Sequence, residues 1–305
     1  HAQALAIVDE GKTGVLAQRD ALAALALAPA AWDEHARSRK NRRKPLPVLS
    51  GVRVEDAGRV APEVVRERIT SPVGEPIDPA RLHRNYTRVF GLGLHDEVDF
   101  RLEGDAERAD LVVDARDKEA GPWSLRLGAS SQADLSGGNG ITLAGLFVLR
   151  PVDRYGAEWR THVEFGERVL LDSEYVQPLA AGSPFFVAPR VGYERRRIGA
   201  PLGTNTVAEF DVEAMEAELD LGCLLGDWGE LRAGVFHLSG RASLAVGDPA
   251  SFASNDFDQG GLVASFAYDT LDSTAFPRSG SIGKSEMTAT MDALGGGENQ
   301  ELLAV

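Results

Sequence analysis

YGAEWRTHVEFG, residues 155–166, is a stretch in which apolar and charged side chains alternate. Side chains of a β-strand point in turn to the two sides of a sheet, so a period of two predicts a strand with two unlike faces. One face is apolar and the other is charged, and this combination limits the folds that the chain can adopt. The apolar face holds Tyr155, Ala157, Trp159, Thr161, Val163 and Phe165, and the charged face holds Glu158, Arg160, His162 and Glu164.

The same pattern returns along the chain after Gly121, where helical patterns end. We predict about nine strands with short turns, one of them the glycine-rich turn 136–140. The long run 207–222 changes phase near Ala214, which predicts a bulge or two strand segments. The nine runs are WSLRLGASSQADL, GITLAGLFVLR, YGAEWRTHVEFG, RVLLDSEYVQPL, FFVAPRVGYERRR, VAEFDVEAMEAELDLG, GELRAGVFHLSG, GLVASFAYDTL and GSIGKSEMTATM.

Two architectures accommodate such strands. A soluble sandwich turns the apolar face inward, whereas a transmembrane barrel turns it to lipid and lines a wet lumen with the polar face. Several runs reach about ten residues, the length of a tilted membrane strand. The polar faces are strongly charged, and aromatic residues lie near strand ends, so the barrel is favoured. These aromatic residues are Trp123, Tyr155, Phe185, Tyr193 and Tyr268.

Composition excludes several function classes. A net charge of -14 argues against binding to duplex nucleic acid, since a polyanion needs a basic surface. The single Cys223 has no partner cysteine for a disulfide or a zinc site. The sequence contains no run of about 18 apolar residues, so only strands could cross a bilayer. The start at His1 shows no secretory leader and is interpreted as a fragment boundary.

The first part of the chain is predicted to be helical. Residues 2–36 are rich in alanine and leucine, and Gly11 and Gly14 are expected to separate two helices. Pro29 interrupts the second helix or starts a third. The basic run 37–44 is interpreted as a solvated linker, with contact to anionic headgroups as the alternative.

The region 48–118 has the order strand, helix, helix, strand, strand, which predicts a small α+β module. Asp78 is expected to cap the second helix, with Pro79 in its first turn and Gly91 at its end. An exposed edge of such a sheet can receive a partner strand by β-augmentation. The predicted core is Val52, Val54, Val65, Ile69, Leu82, Val98, Phe100, Leu111 and Val113.

Three stretches resemble a known family: GPWSLRLGASSQADLSGGNG, the run from YGAEWR to SEYVQPL, and AYDTLDSTAFPRSGS. They are similar to the membrane part of bacterial patatin-like phospholipases, which carry a BamA-type barrel of the bacterial surface antigen superfamily. The resemblance implies a mainly β chain, with a small α+β POTRA domain followed by an antiparallel up-and-down transmembrane β-barrel. The implied domains are 1–44, a helical tail of the hydrolase with a linker; 45–120, the POTRA domain; and 121–305, the first half of the barrel.

The turn 268–281 bears on how much of a barrel this sequence holds. In the family this turn lies about midway through sixteen strands, so the resemblance implies an incomplete barrel and truncation at both ends. Open sheet edges in hydrocarbon would leave backbone groups unpaired. Phe276 within the turn is expected to be buried.

The resemblance implies that the parent protein is a lipid acyl hydrolase of the bacterial outer membrane and that this chain is its anchoring or translocating portion. Residues 1–120 would lie in the periplasm or at the membrane surface. A BamA-type barrel for outer-membrane protein assembly or polypeptide transport is the alternative, and a soluble β-sandwich binding module is the second alternative. The expected partners are outer-membrane lipids and a periplasmic strand bound by the POTRA domain; nucleic acid is not expected, and a homo-oligomer stays open.

No catalytic, cofactor-binding or metal-binding residue is assigned. The family's serine–aspartate dyad needs G-x-S-x-G and D-G-G or D-G-A, and the sequence contains neither, so the chain itself is expected to be inactive. SGGNG lacks the lysine of a phosphate-binding loop and is interpreted as a hairpin turn. Asp256 and Asp258 partly match a calcium loop, but Ala267 stands where its glutamate belongs, and a turn is expected there.

Two further residues have a structural interpretation. His162 lies on the charged face between Arg160 and Glu164 and is interpreted as part of a polar network in the lumen rather than as a metal ligand. Cys223 lies among leucines and is interpreted as a small apolar filler.

Overall fold

The chain folds into two compact units, His1–Pro47 with Asp105–Glu107 and Val48–Gly104 with Arg108–Val305. The helices up to residue 41 lie in the first unit, and both β-sheets lie in the second. The computed structural model describes residues 2–41, 46–133, 139–202, 205–273, 275–295 and 301–304.

The first helix, α1 (Ala2–Ala17), runs through Gly11 and Gly14 without a break. The predicted separation of two helices at these glycines is therefore wrong. The surrounding alanine and leucine residues are strong helix formers, and each glycine costs a helix only about 1 kcal/mol.

Two further helices follow, α2 (Arg19–Ala23) and α3 (Pro29–Asn41). Pro29 starts the third helix, which is one of the two predicted outcomes. The basic run is helical up to Asn41 rather than a linker from its start, and 42–45 lie outside the described residues. Within the described part of the chain, no helix is both long enough and apolar enough to cross a membrane.

The predicted order of strand, helix, helix, strand, strand is confirmed for the α+β module, residues 48–117. Its elements are β1 (Val48–Asp56), α4 (Pro62–Arg66), α5 (Pro79–Phe90), β2 (His95–Gly104) and β3 (Arg108–Asp117). The strands form a sheet in the order β1-β3-β2, with β1 parallel and β2 antiparallel to β3. The Asp78 carboxylate accepts a 2.9 Å hydrogen bond from the Ala80 backbone N–H and caps α5 as predicted.

The core of the α+β module contains all nine residues predicted for it, four of them buried and five partly buried. The other face of its sheet carries ion pairs. Arg53 contacts Glu103 at 2.5 Å, and Arg101 donates to Glu103 and Glu55. Val112 beneath these side chains is fully buried, because their aliphatic stems cover it.

The later strands form one antiparallel sheet of ten strands in sequence order, which we call the large sheet. Nine strands correspond to the nine predicted runs; the tenth, of four residues, is too short to show alternation. Residues 136–138 of the predicted turn 136–140 lie outside the described residues, and residues 139 and 140 belong to β5. The strands are β4 (Trp123–Ala133), β5 (Asn139–Leu149), β6 (Glu158–Phe165), β7 (Arg168–Pro178), β8 (Phe185–Leu202), β9 (Asn205–Leu225), β10 (Gly229–Val246), β11 (Asn255–Asp269), β12 (Ile282–Thr290) and β13 (Glu301–Ala304).

Strand β6 begins at Glu158, later than the pattern predicts. The Asp153 carboxylate accepts hydrogen bonds from the backbone N–H groups of Tyr155 and Ala157, at 2.9 and 3.0 Å. An aspartate that binds nearby backbone donors in this way stabilises a turn, so Tyr155 and Ala157 precede the strand.

Two expectations about β9 and β11 are wrong. β9 pairs without a shift at Ala214, which lies opposite Glu194 on one side and Gly240 on the other, so it has no bulge there. Asp256 and Asp258 lie within β11 rather than in a turn, because the ladder with β10 continues past them.

The large sheet is curved, with its charged face on the concave side. β7 and β10 are separated by two strands and would lie about 14 Å apart in a flat sheet. Arg232 of β10 nevertheless contacts Glu174 of β7 at 2.5 Å. Side chains from β5 to β12 line one shared concavity on this face.

Candidate functional site

The two faces of the large sheet have the characters that residues 155–166 predict. Trp159 and Phe165 are 45% and 58% exposed on the convex face, whereas Arg160 and His162 line the concavity. A soluble sandwich would bury the apolar face against a second sheet. Among the described residues no second sheet covers it.

The concavity has a volume of about 400 Å³, and we call its lining the charged wall. Six carboxylates and four cationic side chains contribute to it. Sequence analysis assigned none of them a role beyond the charged faces of the strands. The carboxylates are Asp172, Glu174, Glu218, Asp220, Glu230 and Glu286, and the cations are Arg160, Arg190, Arg232 and Lys284.

Arg232 is one of two centres of the charged wall. Its guanidinium donates to Glu230 and to Glu174, each at 2.5 Å. Its Cζ lies 5.3 Å from the centroid of the Phe186 ring, so a cation–π contact adds to the two charged bonds. The ring fits because Gly222 has no side chain: a Cβ there would lie 2.0 Å from the ring.

Arg190 is the second centre. Its Nε donates to Asp172 at 2.8 Å and its Nη1 donates to Glu218 at 3.1 Å, while Glu216 lies 3.8 Å away. These contacts join β8 to the strands on both sides of it. Cross-strand pairs of opposite charge stabilise a sheet in one register.

Asp220 is the most unusual member of the charged wall, since the residue is only 5% exposed. Its Oδ2 lies 3.8 Å from Arg232, and its buried Oδ1 has no hydrogen-bond partner among the described residues. Oδ1 occupies the space that a side chain at Gly234 would fill. Burying a carboxylate oxygen without a donor costs folding free energy, so stabilisation of the fold does not explain an aspartate at this position.

His162 and Cys223 have the surroundings that the sequence predicts. His162 lines the concavity, and its Nε2 lies 3.3 Å from Glu164 Oε1 on the same face of β6. Cys223 lies beside Phe185 and Leu231 in the ladder of the large sheet.

The convex face changes character along β8 and β9. Met215 is an exposed apolar residue. At the next positions on the same face, Arg195 contacts Glu213 at 3.5 Å and Arg197 contacts Asp211 at 2.8 Å. The apolar part of the convex face therefore ends near Met215, and this reversal causes the phase change in the sequence.

The α+β module contacts turns at one end of the large sheet, which we call the module-side rim. Arg88 Nε donates to Asp227 at 2.6 Å, and Arg68 lies 3.8 Å from the same carboxylate. The Ala61 backbone N–H donates to the Arg154 carbonyl at 2.7 Å. The module is therefore held at the turns before β6 and before β10.

Gly182 makes a third contact with the α+β module. It has a φ of 71°, and a Cβ at this position would lie 2.5 Å from Glu67 Cγ. Both the backbone conformation and the close approach to α4 therefore require glycine.

Asp153 stabilises a turn of the module-side rim. Partial burial acts to raise the pKa of Asp153, but hydrogen bonds from the Ala157 N–H and the Gln177 side-chain amide outweigh it. The pKa therefore lies below the usual aspartate value, and the carboxylate stays ionised at neutral pH.

The turn between β11 and β12 is held by hydrogen bonds from its backbone to one carboxylate. Asp272 Oδ1 accepts hydrogen bonds from the N–H groups of Arg278 and Ser279, at 2.9 and 3.2 Å, and these bonds lower the pKa of Asp272. Phe276 is 82% exposed, so the expectation that it is buried is wrong. The carboxylate, rather than packing of the aromatic ring, orders this turn.

Comparison with protein-family models and with curated proteins gives no match. Solved structures do match. BamA from Haemophilus ducreyi lacking POTRA domains 1–3 has a TM-score of 0.59 at 12% identity over 82% of this chain and 49% of that chain. CdiB from Acinetobacter baumannii has a TM-score of 0.50 at 10% identity over 85% and 47%, and CdiB from Escherichia coli 0.50 at 13% over 82% and 46%.

The chain spans about half the length of the structures that it matches. At these identities the likeness concerns the fold alone. The curved antiparallel sheet, with its charged concave face and apolar convex face, is therefore similar in fold to about half of the BamA and CdiB chains.

Proposed function

We propose that this chain forms the wall of a bacterial outer-membrane barrel that assembles membrane proteins or transports polypeptides. The likeness to BamA and CdiB over more than four fifths of the chain carries the proposal. In this arrangement the apolar convex face contacts acyl chains, and the charged wall lines an aqueous lumen.

We also propose that the α+β module is a POTRA domain on the periplasmic side, with the domains bounded as 1–44, 45–120 and 121–305. The last range holds 185 of the 305 residues, about three fifths, whereas the match to BamA covers 82% of the chain. The match therefore extends into residues before the large sheet, which supports a shared module.

The partners that fit this arrangement are outer-membrane lipids and an extended polypeptide. β2 is an edge strand of the module's sheet, so one side of its backbone is free to pair with an incoming strand.

The phospholipase parent that the sequence resemblance implies gains no support from BamA and CdiB. No catalytic residue of that family is assigned to this chain. We therefore prefer assembly or transport to anchoring of a hydrolase.

The test is reconstitution of the purified chain into phospholipid vesicles, followed by addition of a urea-unfolded outer-membrane barrel protein. We expect this substrate to reach a folded, protease-resistant state several times faster than in protein-free vesicles or in vesicles that hold an unrelated barrel. Substrate recovered inside the vesicles would instead favour transport. Equal rates in all three preparations, with no substrate inside, would exclude both activities.

A further inference from the structure

A pocket of about 400 Å³ lies at the junction of the α+β module with the module-side rim, apart from the charged wall. We call it the junction pocket. Three arginine side chains line it, Arg68, Arg88 and Arg150, but its lining includes one carboxylate, that of Asp227. A cationic pocket stands out on a chain whose net charge is -14.

The carboxylates near the junction pocket are too few to neutralise the charge of its arginines. Asp227 is shared by two of the three arginines, at 2.6 and 3.8 Å. Arg150 contacts Glu158 at 3.1 Å, but Glu158 also pairs with Arg160 at 2.8 Å. Counted over the ion pairs of the described residues, the cluster therefore keeps a positive excess.

Two of the arginines also have unused donors. The Nε atoms of Arg68 and Arg150 are buried and have no hydrogen-bond partner among the described residues. An unpaired buried N–H is costly, and a guanidinium presents five N–H groups in a fork that matches an oxyanion. Gly91, Gly226 and Gly229 also line the pocket.

We propose that the junction pocket binds a phosphate-class oxyanion. The ligand accepts hydrogen bonds from Arg68 and Arg150, while Arg88 stays paired with Asp227. Phosphate suits the site because donors converge on it from both the module and the large sheet, and several charged hydrogen bonds to one dianion reinforce one another. Free phosphate and the phosphomonoester headgroup of a lipid share this chemistry.

Inorganic phosphate is the first probe, titrated by calorimetry into the full chain in detergent micelles at constant ionic strength, with chloride as the reference anion. We expect saturable binding to the unsubstituted chain. Arg68→Gln and Arg150→Gln should each weaken it about tenfold, the effect of one charged hydrogen bond. Arg68→Lys keeps the charge but loses the forked guanidinium. Its affinity for phosphate should lie between those of the unsubstituted chain and of Arg68→Gln.

Arg116→Gln is the matched control, because Arg116 is an exposed arginine of the same module whose contacts are Glu97 and Asp114, away from the pocket lining. It should bind phosphate like the unsubstituted chain. An equal loss in this control would overturn the proposal, as would Arg68→Gln and Arg150→Gln variants that bind normally.

Vesicles distinguish the two sources of phosphate. The chain is mixed with phosphatidylcholine vesicles that contain or lack phosphatidic acid, and co-flotation is measured. Saturable binding of inorganic phosphate alone assigns a soluble ligand, and an arginine-dependent preference for phosphatidic acid assigns a lipid headgroup. No binding of phosphate and no preference for phosphatidic acid by the unsubstituted chain would overturn the proposal, whatever the variants do.

Discussion

At the scale of single residues, Gly222 and Phe186 share one space on the concave face. The ring of Phe186 lies where the side chain of residue 222 would be, and the guanidinium of Arg232 lies over the ring. The absence of a side chain at Gly222 on β9 therefore determines where the Arg232 guanidinium on β10 lies.

Gly222→Val should lower the free energy of unfolding by about 1–3 kcal/mol, because overpacking displaces the Phe186 ring. Urea unfolding followed by tryptophan fluorescence measures the effect. Gly128→Val is the control, since a Cβ at Gly128 meets no atom within 4 Å. Equal losses in the two variants would contradict the packing argument.

The turn that Asp272 orders should depend on pH. The folded-state pKa of Asp272 is lowered by the backbone N–H groups of Arg278 and Ser279, so its stabilisation is present above the unfolded value of about 3.9 and is lost as the pH falls through the folded pKa. Hydrogen exchange at these two amides, relative to intrinsic rates, should accelerate below about pH 4.

Asp272→Asn should remove this pH dependence of the two amides. Amide protection in the unsubstituted chain that stays constant down to about pH 3 would show that the carboxylate does not order the turn.

Residue types predict some local features of this chain and fail at others. Asp78 caps α5 as expected, because capping needs only neighbours in sequence. Phe276 is exposed, although aromatic residues usually lie inside, because Asp272 holds its turn without the ring. The aspartate was the stronger signal, since it binds backbone donors within a few residues.

At the scale of elements, β9 combines two segments of opposite polarity in one continuous strand. Leu219 and Met215 are exposed on the convex face, while Glu213 is paired with Arg195 on the same face. If the apolar segment lies in hydrocarbon, the cost of a charge on it depends on its depth.

Leu219→Arg should lower the free energy of unfolding in phospholipid vesicles by about 2–4 kcal/mol, the cost of a cation at the bilayer midplane. Ser239→Arg, opposite Met215 at the reversal, should cost about 0–1 kcal/mol. Urea titration in vesicles measures both variants. Small and equal effects would show that the convex face does not contact acyl chains.

Alternation predicts the strands of the large sheet well because each face meets one environment over most of its length. It fails where one face meets two environments, as on β9, where a polarity reversal looks like a bulge. The start of β6 is missed for another reason: Asp153 ends the preceding turn with hydrogen bonds that alternation does not register.

At the scale of the whole molecule, the α+β module should hold one position on the module-side rim. Glu67→Cys and Ala181→Cys, in a Cys223→Ser background, bring two thiols to the contact between α4 and the turn before β8 and leave Gly182 in place. We expect mild oxidation to form a disulfide between them, which a shift in gel mobility detects.

Asp227→Asn should reduce the disulfide yield modestly. Arg88 is more than a third exposed, so its pair with Asp227 contributes only about 0.2–1 kcal/mol after screening. Asp248→Asn, in the turn before β11, is the control and should leave the yield unchanged. Failure of the thiols to join in the Cys223→Ser background would show that the module is not held there.

The charged wall could be predicted only in part. Arg190 and Arg232 stand at alternate positions of predicted strands, so their face follows from the pattern. Their partners do not, because Glu174 reaches Arg232 across two intervening strands only when the sheet curves. The junction pocket is likewise absent from the pattern, since its arginines lie far apart in sequence.

In the proposed membrane barrel, the length of the central strands divides them between two media. β8, β9 and β10 have 18, 21 and 18 residues, whereas a tilted membrane strand needs about 9–11. In that barrel the part beyond the reversal stands in water, where dissolved ions screen attraction over a Debye length of about 8 Å at physiological ionic strength. A high salt concentration should therefore weaken the ion pairs of the segment in water and leave the segment in hydrocarbon unchanged. The two ends of one continuous strand would then respond differently to the same solution.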